Sequence, residues 1–181
     1  MTASAATPDS LAQRALQDFR QGRFADAARG FESARRLFEQ AGDRAQAAEA
    51  ANNRCVALLQ AKCPAEALRA VEGTPEAFDA LGDAKRAAQA LGNLASALEA
   101  AGDLPAAEVA YRQALERFAA LKDAEARSTI LTSLSQLQLK RGQPMEALAT
   151  MQAGLDQKPR HSLRDRWIRR LLDLPSRLLP R

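Results

Sequence analysis

The sequence predicts an all-α protein, a solenoid of four helical hairpins with one more helix after them. Three observations predict it. Ala27, Ala67, Ala107 and Ala147 recur every forty residues, each just past a turn: Gly22-Arg23-Phe24, Lys62-Cys63-Pro64, Gly102-Asp103-Leu104 and Gly142-Gln143-Pro144. Asp43, Asp83 and Asp123 keep the same interval at a second turn, and Phe38, Phe78 and Phe118 keep it too. Composition completes the case: Ala, Leu, Glu, Arg and Gln dominate, all strong helix formers, while aromatics are only 4% and β-branched residues are few. Two turns per period without strand signals mean a repeated helical hairpin, and a fixed period of this size marks arrays whose units bury their apolar faces against neighbours.

The elements follow in order. Thr7-Pro8-Asp9 opens the first helix with an N-cap, a proline at the first helical position and an acid in the first turn; the helix stops at Gly22. Helices are then expected over 24–40, 44–61, 64–80, 84–101, 105–120, 124–141 and 144–157. Pro64, Pro105 and Pro144 sit in first turns, where a missing N–H costs nothing. Lys62 stands where the other units have Gly22, Gly102 and Gly142, which predicts a different closure for that turn. Gly73-Thr74-Pro75-Glu76 interrupts the helix over 64–80, since Pro75 cannot donate to the carbonyl four residues back. Phe78 nevertheless stays in register, so the expectation is a kink or a broken helix without insertion.

Charge is unevenly spread. The chain carries +4 overall, but the repeats are close to neutral and the basic excess lies beyond Leu155. There, Leu163, Trp167, Leu171 and Leu174 form one stripe of a helix expected over 162–173, with a basic back. Met1 to Ser10 has neither a basic nor an apolar signal region, and no run approaches the ~20 apolar residues that span a bilayer. Cys55 and Cys63 are about 12 Å apart along a helix, too far for a disulfide. Both read as reduced thiols and the compartment as cytoplasmic; the Ala and Arg usage points to a GC-rich bacterial genome.

Leu91-x-x-Leu94-Ala95-x-x-Leu98, followed by Ala107-x-x-x-Tyr111-x-x-Ala114, resembles the tetratricopeptide signature of large–large–small–large in helix A and small–large–small in helix B. Ala27, Phe31 and Ala34 repeat the second half in the first unit. Leu131, Leu134 and Ser135, then Ala147, Met151 and Gly154, repeat both halves in the fourth, with Pro159 as the closing proline. The period is forty rather than about 34 residues, with Gly-Asp between units. That variant, with Ala90-Leu91-Gly92-Asn93-Leu94 before Gly102-Asp103, resembles the repeats of kinesin light chains and of G-protein-signalling modulators. The resemblance implies a right-handed α-α superhelix of four repeats (8–43, 44–83, 84–123, 124–159). A flexible N-terminus (1–7) precedes them, and a basic amphipathic capping helix and tail (160–181) follows.

In such repeats the A helices line the concave face. Counted from the signature, the inward residues are Arg20, Glu49, Asn52, Asn53, Gln89, Asn93, Ser96, Glu99, Ser133, Gln136 and Lys140, with Asp9, Gln13, Gln60 and Thr129. Amides can donate and accept at once, which suits the backbone of an extended peptide. The charged members could read a partner's charged side chains, and the resemblance implies that Asn53 and Asn93 hold peptide backbone. The expected function is a non-catalytic adaptor or scaffold that binds a peptide or helix of a partner protein in this groove. The alternative is a peripheral tether to an anionic membrane surface, or a contact with an acidic partner, through Arg164, Trp167, Arg169 and Arg170. A further alternative is a homo-oligomeric scaffold built through the array ends. One Trp and one Tyr offer almost no stacking platform, so nucleic acid is disfavoured. The single histidine, His161, has no partner at triad or ligand spacing, and the Gly-Asp pairs are turns rather than a phosphate loop. No catalytic residue, metal site or cofactor is therefore expected.

Overall fold

The computed structural model describes residues 7–157, with side chains to residue 154. Among them are nine helices and no strand: α1 (Pro8–Arg20), α2 (Phe24–Gln40), α3 (Arg44–Gln60), α4 (Pro64–Val71), α5 (Thr74–Ala80), α6 (Ala84–Ala101), α7 (Leu104–Ala120), α8 (Ala124–Lys140) and α9 (Pro144–Gln157). The helix expected over 162–173, with Arg164, Trp167, Arg169 and Arg170, lies outside the described residues, as do the first six residues. The chain forms two compact units, Met1–Ala110 and Tyr111–Arg181, divided inside α7.

In the first unit the phenylalanine and aspartate series have one cause. Each helix pair ends in a left-handed residue whose successor donates back to the start of the last turn: Asp43 N–H to the Phe38 carbonyl (2.9 Å) and Asp83 N–H to the Phe78 carbonyl (2.9 Å). The same aspartates then cap the next helix, Asp43 Oδ1 accepting from Gln46 N–H (3.0 Å) and Asp83 Oδ1 from Arg86 N–H (2.9 Å). One residue closes a helix and opens another, so the turn cannot lengthen without losing both. The phenylalanines fill holes left by alanines: Phe38 clusters with Ala47 and Ala50 of α3, Phe78 with Ala48, Ala87 and Ala90 of α3 and α6. A larger cluster joins Ala15, Ala27 and Phe31 to Cys55 and Leu58, and these to Val71 and Ala97. Burial of each such phenylalanine contributes roughly 2–3 kcal/mol. Helix α1 approaches α2 closely enough that a Cβ on Gly30 would lie 2.8 Å from the Ala15 Cβ.

Two features of this unit bear on the sequence expectations. The turn at Lys62 is closed in the same way as the glycine turns, which corrects the expectation of a different closure. Lys62 takes φ 62°, beside 76° at Gly22 and Gly42, and Lys122 of the second unit likewise takes φ 57°. Lys62 N–H donates to the Leu59 carbonyl (3.1 Å) and Cys63 N–H to that of Leu58 (2.9 Å). These two bonds offset the left-handed cost of about 1 kcal/mol for a residue with a Cβ. The helix over 64–80 is broken, as the glycine and proline predict. Gly73 is left-handed (φ 74°) and Thr74 Oγ1 donates to the Val71 carbonyl (2.8 Å), tying the end of α4 to the start of α5.

In the second unit, Asp123 repeats the double role, its N–H donating to the Phe118 carbonyl (3.0 Å) and its Oδ1 accepting from Ala126 N–H (3.0 Å). Helices α8 and α9 pack as a hairpin around buried Leu131, Leu134, Leu137 and Ala147. Gly154 permits the approach, since a Cβ there would lie 3.3 Å from the Leu131 Cβ.

Candidate functional site

Helices α3 and α6 pack against each other and start from equivalent aspartate caps. The forty-residue register therefore becomes a side-by-side pairing of side chains. Asn93 Nδ2 donates to Asn52 Oδ1 (2.9 Å), joining two of the amides expected to face a partner. One turn back on α3 and two turns back on α6, Arg86 Nη1 pairs with Glu49 Oε2 (3.0 Å). Arg86 also donates through Nε to Asp83 Oδ2 (2.6 Å) and lays its guanidinium 5.0 Å from the centre of the Phe78 ring. The bond to Asp83 comes first in holding the Arg86 pKa above its ordinary value. Hydrogen bonds from the Arg86 backbone and then its side chain hold the Asp83 carboxyl below its own. Glu49, expected to read a charged partner, thus already has a cation of its own, which a partner's cation would have to displace.

The remaining expected residues are placed as follows. Asn53 is half-buried beside Asn52, and its amide has no hydrogen-bond partner among the described residues. Gln89 is exposed on α6; Ser96 turns its hydroxyl back to the Gly92 carbonyl (3.0 Å), and Glu99 is half-buried. Arg20 is exposed in the last turn of α1. In the second unit, Ser133 donates to the Thr129 carbonyl (3.4 Å), while Gln136 and Lys140 are exposed on α8. The structure therefore brings together Glu49, Asn52 and Asn93, with Asn53 adjoining.

Arg86 is a member of this site that the sequence reading missed. Its signal was present, three residues after the capping Asp83, where a basic side chain can reach back to the carboxylate. A second unforeseen cluster lies on α2 and α3. Glu32 accepts from Arg35 Nη2 (2.9 Å), Arg36 Nε (2.7 Å) and Arg54 Nη1 (2.9 Å). The Arg35 bond leads, with Arg36 and Arg54 adding to it against the opposing cost of burial, and the Glu32 carboxyl is held down at about 2. Two clefts of about 500 and 450 Å³ lie along α1–α2 and α2–α3–α4, and neither is lined by an expected partner-binding residue. Cys55 and Cys63 are free thiols, and burial pushes that of Cys55 up to about 12, so it is inert as a nucleophile at neutral pH. Among the described residues no helix is long and apolar enough to cross a membrane.

Helical hairpins in fixed register, with small residues where the helices approach most closely, define a tetratricopeptide-like α-solenoid protein. Residues 86–160 match the family model of the tetratricopeptide repeat. Among solved structures, the crystal structure of BtubC (BKLC) from P. vanneervenii is similar, with a TM-score of 0.71 and 21% identity. The match covers 95% of this chain and 68% of that one, and it is a likeness of fold. No curated protein matches the chain.

Proposed function

We propose that the protein is a non-catalytic adaptor that holds an extended segment of a partner protein against the polar face of α3 and α6. Tetratricopeptide repeats generally mediate protein–protein interaction. The observation that carries the reading is the amide cluster: Asn93 is oriented by its bond to Asn52, and Asn53 adjoins them, half-buried. Two positioned amides can meet the N–H and C=O of one extended residue, which binds backbone without demanding a particular sequence. Arg20, Gln89, Ser96 and Glu99 supply further polar contacts along α1 and α6. Ser133, Gln136 and Lys140 form a polar face of their own on α8 for the same task. An extended segment lies along a face and needs no deep cavity. The free thiols accord with a reducing, cytoplasmic setting.

The test is to pan a random peptide library against the immobilised full chain and titrate the enriched peptides calorimetrically. Losing one buried amide contact should weaken binding by about tenfold in each of Asn53→Ala and Asn93→Ala, with helicity unchanged. Peptides that bind both variants as tightly as the parent would rule out this face.

A further inference from the structure

The side of α3 turned away from Glu49, Asn52 and Asn53 borders the cleft of about 450 Å³ between α2, α3 and α4. Arg54, Leu58 and Ala61 lie about 120–180° around the helix from Glu49, at 3.6 residues per turn. The apolar lining is Ala28, Leu58, Ala61 and Cys63, the first two of them buried. Its charged lining is Arg29, Arg36 and Arg54 against Glu32 and Glu66. The volume is that of a small-ligand site, about 300–1,000 Å³. It belongs to this hairpin pair in particular. Forty residues on, Leu68 stands in the place of Ala28 and Leu94 in that of Arg54, and both pack against the core. A methyl group in the one place and a guanidinium in the other leave room and give it charge.

Glu32 fixes two of the arginines, Oε1 accepting from Arg36 Nε (2.7 Å) and Oε2 from Arg54 Nη1 (2.9 Å). Each thereby spends one of a guanidinium's five N–H donors and is held in place with the others to offer. We infer that this cleft is a second binding site, for a carboxylate carried beside a small apolar group. A partner peptide presents that pair wherever an acidic residue adjoins a leucine or valine. The carboxylate takes charge-assisted hydrogen bonds from Arg36 and Arg54, and the apolar neighbour lies on Ala28 and Leu58. Charge selects the carboxylate over a phosphate. Three cations against two carboxylates leave the lining at +1, which one carboxylate neutralises, whereas a phosphate at about −2 would turn it negative beside Glu32. The site does not rest on the proposed use of α3 and α6, whose amides lie on the other side of α3.

Cys63 supplies the readout. It lines the cleft half-buried, whereas Cys55 is buried with its thiol pushed up to about 12. Alkylation of the full chain by N-ethylmaleimide therefore reads Cys63. Blocked tetrapeptides containing Glu-Leu or Asp-Val should slow it several-fold and saturably. Their Gln-Leu and Asn-Val counterparts should need about tenfold higher concentration. Arg36→Gln and Arg54→Gln should each weaken protection by about tenfold. Ala28→Leu, which puts the next hairpin's side chain into the cleft, should remove it with circular dichroism unchanged. Asn53→Ala should leave protection intact, so failure of the α3–α6 face and failure of this cleft are separable. The inference is overturned if the acidic peptides leave the alkylation rate unchanged, if their amide counterparts protect as well, or if protection survives all three cleft substitutions. Inorganic phosphate that protects as well as the acidic peptides would overturn the choice of a carboxylate.

Discussion

Helix α2 and its counterpart α4–α5 occupy the same register in successive hairpins, yet one is continuous and the other is cut in two. Both end on a buried phenylalanine, Phe38 at 5% and Phe78 at 1% exposure. They differ in the middle turn. There α2 carries Glu32, which pairs with Arg35 and Arg36 of the same helix and with Arg54 of α3. At the matching positions α4–α5 has Glu72, Pro75 and Glu76, with a left-handed Gly73 between them. An ion-paired ladder reinforces the turn in one helix, and the other gives that turn up altogether. The phenylalanine is placed equally well by both. Register in this protein is held by the knob at the end of the helix and the aspartate turn after it, rather than by unbroken helix between them.

The largest effect expected from this comparison is therefore a shared one. Phe38→Ala and Phe78→Ala should each cost about 3–5 kcal/mol and agree within about 1 kcal/mol, as measured by urea unfolding. A much smaller loss at Phe78 would show that the break loosens the anchor. Next comes the ladder. Glu32→Gln should cost about 1–2 kcal/mol, and its loss should depend on pH. Because the folded carboxyl is lowered from 4.5 to about 2, its contribution is complete above pH 4.5 and disappears as pH falls toward 2. Unfolding curves of parent and variant should thus converge in that window; a constant gap would mean that Glu32 acts through packing. The smallest effects concern the left-handed residues. Lys62→Gly should stabilise and Gly73→Ala destabilise, each by about 1 kcal/mol or less, since nothing lies within 4 Å of a Cβ built on Gly73. Equal signs in thermal melts would refute the idea that backbone conformation alone decides these positions.

Most of the hairpin plan can be read from the chain, because turns declare themselves locally. Asp43, Asp83 and Asp123 mark helix starts, and the glycines and prolines mark stops and first turns. Lys62 misleads for a physical reason: a lysine side chain does not forbid the left-handed region, and two backbone hydrogen bonds outweigh the modest strain. The candidate face is harder to read. The periodicity assigns Glu49, Asn52, Asn53 and Asn93 to A-helix positions. Whether Asn93 meets Asn52 or Asn53, and whether Glu49 is left for a partner or taken by Arg86, depends on the rotation of one helix against another forty residues away. Arg54 reaching Glu32 across α2 and α3 is hidden for the same reason.

Alanine holds most of the buried apolar positions among the described residues, and Gly30 sits against the Ala15 methyl with no room for one more carbon. An interior already at the lower limit of side-chain size can change almost only by growing. Mutational drift there meets steric exclusion in nearly every direction, while the outward faces are free to diverge. Descendants of such a chain would come to share little beyond a spacing of methyl groups, and would fold alike while recognising different things.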